Sequence, residues 1–177
     1  MIHQGATIWL TGLSGSGKST IANMLAGRLR ESGAKVEVLD GDVIRTNLSR
    51  GLGFSKEDRD INIRRIGFVC GLLSRNGVIA IAAAISPYAQ VRREVRATTT
   101  NFVEVFTDCE FEKLVARDVK GLYKKALAGE IKNFTGVSDP YETPEHADVR
   151  IDSGTQTPEE STDTVWNYLA EAGLIRS

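Results

Sequence analysis

The stretch Gly12-Leu13-Ser14-Gly15-Ser16-Gly17-Lys18-Ser19 reads G-x-x-x-x-G-K-S, and nothing else in the chain limits its fold so tightly. Ala6–Leu10 precedes it as a short apolar run of strand type. Thr20–Glu31 follows, with Ile21, Met24, Leu25 and Leu29 at helical spacing. A strand, a glycine-rich turn and a helix gather several backbone N–H groups around one point. The positive end of the helix dipole points there too, which favours a polyanion. Gly12, Gly15 and Gly17 let the backbone approach phosphate with no Cβ in the way. Lys18 supplies a mobile charge to the β- and γ-phosphates, and Ser19 offers a hydroxyl to the Mg²⁺ that travels with a nucleotide. Leu13, Ser14, Ser16 and Thr20 complete the loop. The expected ligand is therefore ATP or GTP, but the loop alone does not separate phosphate transfer from switching or transport.

The 177 residues suit one domain, and 41% hydrophobic residues suffice for a core. A formal net charge of −1 argues against a general nucleic-acid binder. No apolar run approaches the ~20 residues of a membrane span. Met1-Ile2-His3-Gln4-Gly5 lacks the charged-then-apolar pattern of a signal sequence, so a cytoplasmic protein is expected. Cys70 and Cys109 are far apart with no C-x-x-C spacing, which argues against zinc and predicts two reduced, partly buried thiols.

Strand-like runs recur at Ala6–Leu10, Val36–Leu39, Val78–Ala84, Phe102–Thr107 and Val149–Ile151, with helical patterns between them. Nearly all-apolar strands alternating with helices predict a mainly parallel sheet covered on both faces, an α/β/α sandwich of three layers. Gly33 ends the first helix. Thr157-Pro158-Glu159-Glu160 is a capping box that opens the last helix, and Gly173 closes it.

In such sheets ligands sit beyond the carboxyl ends of the strands. Asp40-Gly41-Asp42-Val43-Ile44-Arg45 follows the second strand and falls there. Asp42 is placed to accept a proton from an attacking hydroxyl or to hold Mg²⁺ through water; alternatively it caps a short helix, with Asp40 shaping the turn. Arg45 is placed to bind a second anion. A helix from Ser55 and Asp58 to about Arg75 carries Arg59, Asn62, Ile66, Val69 and Leu73 on one stripe. Arg59 and Asn62 thus face inward and need partners, either an anionic ligand or an internal salt bridge. Phe54 is a staple for this helix or a platform for a base. In Ile85-Ser86-Pro87-Tyr88, proline suits the first helical position, which makes Ser86 the expected N-cap. Residues 117–142 carry a run of Arg and Lys, several glycines and Phe134. They read as a basic lid over phosphates or as an exposed charged helix followed by a loop.

These segments together resemble the adenylylsulfate kinase family over nearly the whole chain. The resemblance lies in Gly12–Thr20, Asp40–Arg45, Leu52–Arg59 with Asn62–Gly67, Ile85–Tyr88, Lys120–Lys125, Asn133–Gly136 and Ser138–Glu142. It implies a single P-loop kinase domain that moves the ATP γ-phosphate to the 3′-hydroxyl of adenosine 5′-phosphosulfate, in a homodimer. Carried over residue by residue, it assigns Arg45, Arg59 and Asn62 to the phosphosulfate, with Ile85 and Ser86 at the pocket edge. Phe54 and Phe134 would sandwich the acceptor adenine, Lys120 and Leu122 would close over it, and Asp42 would sit by the attacking hydroxyl. Arg117 would flank the ATP adenine. In the family the serine at the position of Ser86 has been called a phosphoserine intermediate; direct in-line transfer is the simpler chemistry. Val119 stands where the family often has proline, and Ala83-Ala84 replaces a bulkier polar pair. No sulfurylase domain is attached, which implies a stand-alone kinase or a piece of a larger protein. Two other functions fit the loop. One is a different small-molecule kinase, against which the paired aromatics and Arg45, Arg59 and Asn62 argue. The other is a nucleotide-dependent switch, against which the lack of an N-K-x-D guanine motif argues.

Overall fold

The middle layer of the computed structural model, which describes residues 3–175, is a parallel sheet. Its strands are β1 (Ala6–Thr11), β2 (Val36–Asp40), β3 (Ile79–Ala83), β4 (Phe102–Asp108) and β5 (Val149–Asp152), in the order β2-β3-β1-β4-β5. The apolar runs lie where the sequence puts them because the central strands β1, β3 and β4 are covered on both faces, while the edge strands β2 and β5 keep exposed residues on one side. Alternate residues divide the core. Ile8 and Leu10 of β1, Ile79 and Ile81 of β3, and Val103 and Val105 of β4 meet α1 (Lys18–Glu31) and α7 (Pro158–Glu171). Trp9, Ala80 and Ala82 face the other way, against α3 (Lys56–Ser74) and α4 (Ala89–Thr98). The alanines of β3 leave room there for the indole of Trp9, which is fully buried. Each large aliphatic side chain so buried contributes about 1.5–3 kcal/mol.

Helix ends follow the expected chemistry. Thr157 and Glu160 form the capping box of α7, and Ser55 accepts the Asp58 N–H at the start of α3. Gly33 and Gly173 stand just past α1 and α7 with φ of 86° and 70°. One cap differs from expectation. The helix after β3 begins at Ala89, with Tyr88 at the N-cap position, so Ser86 does not cap it. Its hydroxyl instead accepts from Trp9 Nε1 at 2.9 Å, and its φ is +41°. The exposed end of α4 takes its acceptor from far away: Glu142 Oε2 receives the Ala89 N–H at 2.6 Å.

A short helix α2 (Gly41–Thr46) follows β2, and two more, α5 (Phe111–Arg117) and α6 (Leu122–Leu127), follow β4. The latter two build a small separate core of Cys109, Leu114 and Tyr123, against which Leu13 of the phosphate loop and Phe134 pack. Both cysteines are free and buried, and burial pushes the Cys70 thiol up to about 12. No helix among the described residues is long and apolar enough to cross a membrane.

The neighbours β1 and β3 send the chain to opposite faces, into α1 and α4. A crevice therefore opens beyond their carboxyl ends.

Candidate active site

That crevice is a cavity of about 580 Å³, a size suited to a nucleotide-sized ligand. Ser14, Gly15, Gly17, Lys18, Ser19 and Thr20 line one end of it. Gly12, Leu13 and Ser16 lie beneath, shaping the loop. Gly12 has φ +153°, and a Cβ there would come within 2.4 Å of Thr107 Oγ1, so only glycine fits. Ser16 is buried and bonded to Thr107 Oγ1 at 2.9 Å, which ties the loop to β4. Lys18 Nζ donates to the carbonyls of Gly12 and Leu13 at 2.9 and 2.7 Å. Burial, then the nearby Lys120, lower its pKa to about 7, against the opposing pull of Asp40 and Asp42.

The turn after β2 brings two carboxylates beside the loop. Asp40 caps α2: its Oδ1 accepts the Asp42 N–H at 2.9 Å, while its Oδ2 accepts the Ser19 hydroxyl at 2.5 Å. Asp40, rather than Asp42, is therefore the capping residue, and it is also the one that touches Ser19. Asp42 lies in the first turn of α2, lines the cavity and pairs with Lys120 across its mouth. Ser19, Asp40 and Asp42 present hard oxygen donors, the kind Mg²⁺ takes. No cluster of three or more His, Cys, Asp or Glu among the described residues forms a complete metal cage. A nucleotide-borne Mg²⁺ does not need one, since phosphates and water supply most of its ligands.

The other end of the cavity is lined by Arg45, Phe54, Arg59, Asn62, Ile85, Ser86, Lys120, Leu122 and Phe134, the full set expected on the acceptor side. Arg59 and Asn62 are buried, as the helical stripe of α3 predicts. Arg59 is partly satisfied within the protein. It donates to Phe54 O at 2.9 Å and to Asn133 O, and Asp139 stands 3.8 Å away. Both expected alternatives thus hold in part: there is an internal ion pair, and the residue still faces the cavity. Asn62 Oδ1 and Thr135 Oγ1 are buried with no partner in the protein, and both residues line the cavity. Burial lowers the pKa of Arg45, and Arg59 lowers it further. Burial lowers that of Arg59 as well. A guanidinium lowered by burial and by a second one beside it marks a place where an anion is favoured. Phe54 lies under Arg45, whose Cζ is 4.4 Å from its ring, and is otherwise half exposed. Phe134 is held edge-on by Tyr123, with centroids 5.1 Å apart.

Ser86 is buried at the cavity floor, fixed by Trp9 through its hydroxyl and by Arg92, which donates to its carbonyl at 2.6 Å. Thr11 at the end of β1 donates to Ile85 O at 2.7 Å and bonds the phenol of Tyr141 at 2.9 Å. Segment 117–142 is thus not free along its length. Tyr141 and Glu142 are pinned to the sheet edge, and residues 118–120, 122–123 and 131–135 form the cavity wall. Arg117 lies outside the lining and donates to Ser153 O at 2.9 Å, bracing α5 against the segment after β5. Three contributors went unread in the sequence: Asp40 against Ser19, Tyr123 in the wall and Thr135 beside it. Asp40 carried a signal as the first carboxylate of Asp-Gly-Asp, and Tyr123 and Thr135 lie inside segments that carry the resemblance without being singled out.

The model of the adenylylsulphate kinase family matches residues 4–152. An adenylyl-sulfate kinase of Rippkaea orientalis is 59% identical over 175 residues, covering 99% of this chain and 97% of the relative. A solved structure of the Mycobacterium tuberculosis APS kinase CysC, in complex with AMPPNP and APS, superposes with a TM-score of 0.90 at 43% identity, covering 94% of this chain and 98% of that one. A hexameric APS kinase from Thiobacillus denitrificans matches with a TM-score of 0.76 at 39% identity, covering 99% of this chain and 30% of that one.

Proposed function

This chain belongs to the adenylylsulfate kinase family, and from that premise we propose that it transfers the γ-phosphate of ATP to the 3′-hydroxyl of adenosine 5′-phosphosulfate, releasing ADP and 3′-phosphoadenosine 5′-phosphosulfate. One observation carries the assignment of its parts. A single cavity has a phosphate loop at one end and two arginines, a buried unpartnered Asn62 Oδ1 and two aromatic rings at the other.

At the donor end Ser14–Thr20 hold the ATP phosphates. Lys18 Nζ leaves the carbonyls of Gly12 and Leu13 for the β- and γ-phosphates, beside which it is held as the ammonium. Ser19, Asp40 and Asp42 would hold Mg²⁺, which when bound would neutralise charge on the transferring phosphoryl group. At the acceptor end Arg45, Arg59 and Asn62 hold the phosphosulfate. Phe54 and Phe134 stack on the adenine, while Lys120 and Leu122 cover it. The 3′-oxygen forms a bond to the γ-phosphorus as the bond to the β–γ bridging oxygen breaks. Asp42 takes the hydroxyl proton and ADP leaves with the released electron pair. Ser86 acts by position: its hydroxyl is engaged by Trp9 and its backbone shapes the floor. Arg117, braced against the segment after β5, would flank the ATP adenine.

Because the reaction consumes ATP, we assign it to the cytoplasm. We also infer a homodimer. The exposed apolar side chains Leu48 and Phe68 flank a shallow groove on the outer face of α3, the surface a second copy would cover. Sedimentation of the purified chain as a monomer at all concentrations would remove that assignment.

The test of the function compares ADP release with adenosine 5′-phosphosulfate, AMP, gluconate and shikimate as acceptors. Turnover is expected with the phosphosulfate and only weakly with AMP, which lacks the sulfate. Equal turnover with AMP would show that Arg45 and Arg59 do not read the sulfate.

A further inference from the structure

Tyr123 belongs to neither list of expected contacts, yet it touches both halves of the site. Its side chain is buried, and its hydroxyl donates to the carbonyl of Ser14, in the phosphate loop, at 2.7 Å. Its ring meets Phe134 edge-on, with centroids 5.1 Å apart and planes at 77°. Phe134 lines the same cavity, on the wall that the acceptor assignment gives to the adenine. A second contact runs beside the first. Gly136, two residues past Phe134, lies so close to Leu13 that a Cβ would come within 2.9 Å of its Cδ2. The phosphate loop at 13–14 and the turn at 134–136 therefore lie side by side.

The base of this link is stiff. Tyr123 sits in the first turn of α6, and the Asp118 carboxylate accepts the N–H groups of Tyr123 and Lys124 at 2.9 and 3.0 Å. Phe111 closes the other side of the ring, edge-on at 5.7 Å. Burial pushes the phenol up to about 12, so the hydroxyl stays a donor throughout the working pH range.

We propose that Tyr123 is a positioning residue that couples nucleotide binding to acceptor binding, by joining the Ser14 carbonyl to the Phe134 ring. The inference rests on the acceptor assignment made above. When the phosphate loop closes on a triphosphate, the position of Ser14 O sets that of the Tyr123 ring. The ring in turn holds Phe134 where the acceptor adenine is to stack. Each ligand then favours the other, and by linkage the effect is the same in both directions. A purely structural tyrosine would fill the small core beside α5 and α6 and contribute stability without affecting this relation.

The experiment measures binding of adenosine 5′-phosphosulfate to the full chain by calorimetry, with and without saturating AMPPNP, for the wild type and Tyr123→Phe. The variant keeps the ring and its packing and loses only the hydroxyl. In the wild type AMPPNP should tighten acceptor binding by about 5-fold or more, the range of typical coupled sites. In Tyr123→Phe that ratio should fall to about 1, whatever the change in AMPPNP binding alone, with AMPPNP kept at saturation for the variant. An undiminished ratio in the variant overturns the proposal, as does a wild-type ratio of one. Failure of the wild type to bind the acceptor in either condition, with AMPPNP binding intact, would instead overturn the acceptor assignment and the coupling with it.

Discussion

Lys18 is read from the loop motif, but its charge state is not, because that depends on how deeply the folded chain buries it. Its pKa of about 7 lies below the ordinary 10.5, chiefly through burial. The unfolded chain therefore binds the extra proton between those two values. The contribution of this residue to stability rises as pH rises from about 7 to 10.5, and below that window its burial cost is present in full. A polyphosphate beside Nζ reverses the balance and favours the ammonium. Binding of AMPPNP at pH 8 should accordingly be accompanied by proton uptake at Lys18. Calorimetry in two buffers of different ionisation enthalpy reads the direction; no uptake at pH 8 would mean that the ammonium is already charged in the free protein. Asp40 shows the same limit on sequence reading. Its place after β2 was legible, but its bond to Ser19, 21 residues away in sequence, was not.

At the scale of elements, the five strands and the caps of α1, α3 and α7 were legible because each rests on local pattern: apolar runs, Ser55, Gly33, the Thr157 capping box. The start of α4 was misread because distant groups decide it. Trp9 takes the Ser86 hydroxyl from 77 residues away, and Glu142 supplies the missing acceptor. Arg92 ties these pieces together. It is buried, donates to Ser86 O and Glu142 O, and pairs with Glu104 at 3.0 Å. Arg92→Met should destabilise the protein by roughly 3–5 kcal/mol, since it leaves Glu104 inside with only the more distant Arg96. Thr157→Ala, which removes one exposed cap, should cost only about 1 kcal/mol. Urea unfolding of the two variants measures both, and equal losses would mean that the Arg92 junction holds nothing the sheet does not already hold.

For the molecule as a whole, the three-layer sandwich follows from strands apolar on both faces, and the site follows from where the neighbours β1 and β3 part company. That much is fixed by pattern and topology. The wall of the cavity was less legible. A run of Arg and Lys between β4 and β5 suggested a lid, but not that its far end would be anchored through Tyr141 and Glu142, nor that Tyr123 would reach Ser14 across 109 residues. Such contacts leave no periodic trace, because each is a single long-range pair. The central claim remains the transfer itself. It is tested most directly by a single turnover with γ-³²P-labelled ATP and adenosine 5′-phosphosulfate, followed by separation of nucleotides, free phosphate and protein. The label should appear on the 3′-position of the phosphosulfate product, with none retained by the protein, and Ser86→Ala should slow this transfer without abolishing it. Label found only in free phosphate, or held on Ser86 of the wild-type protein, would contradict direct transfer to the bound acceptor.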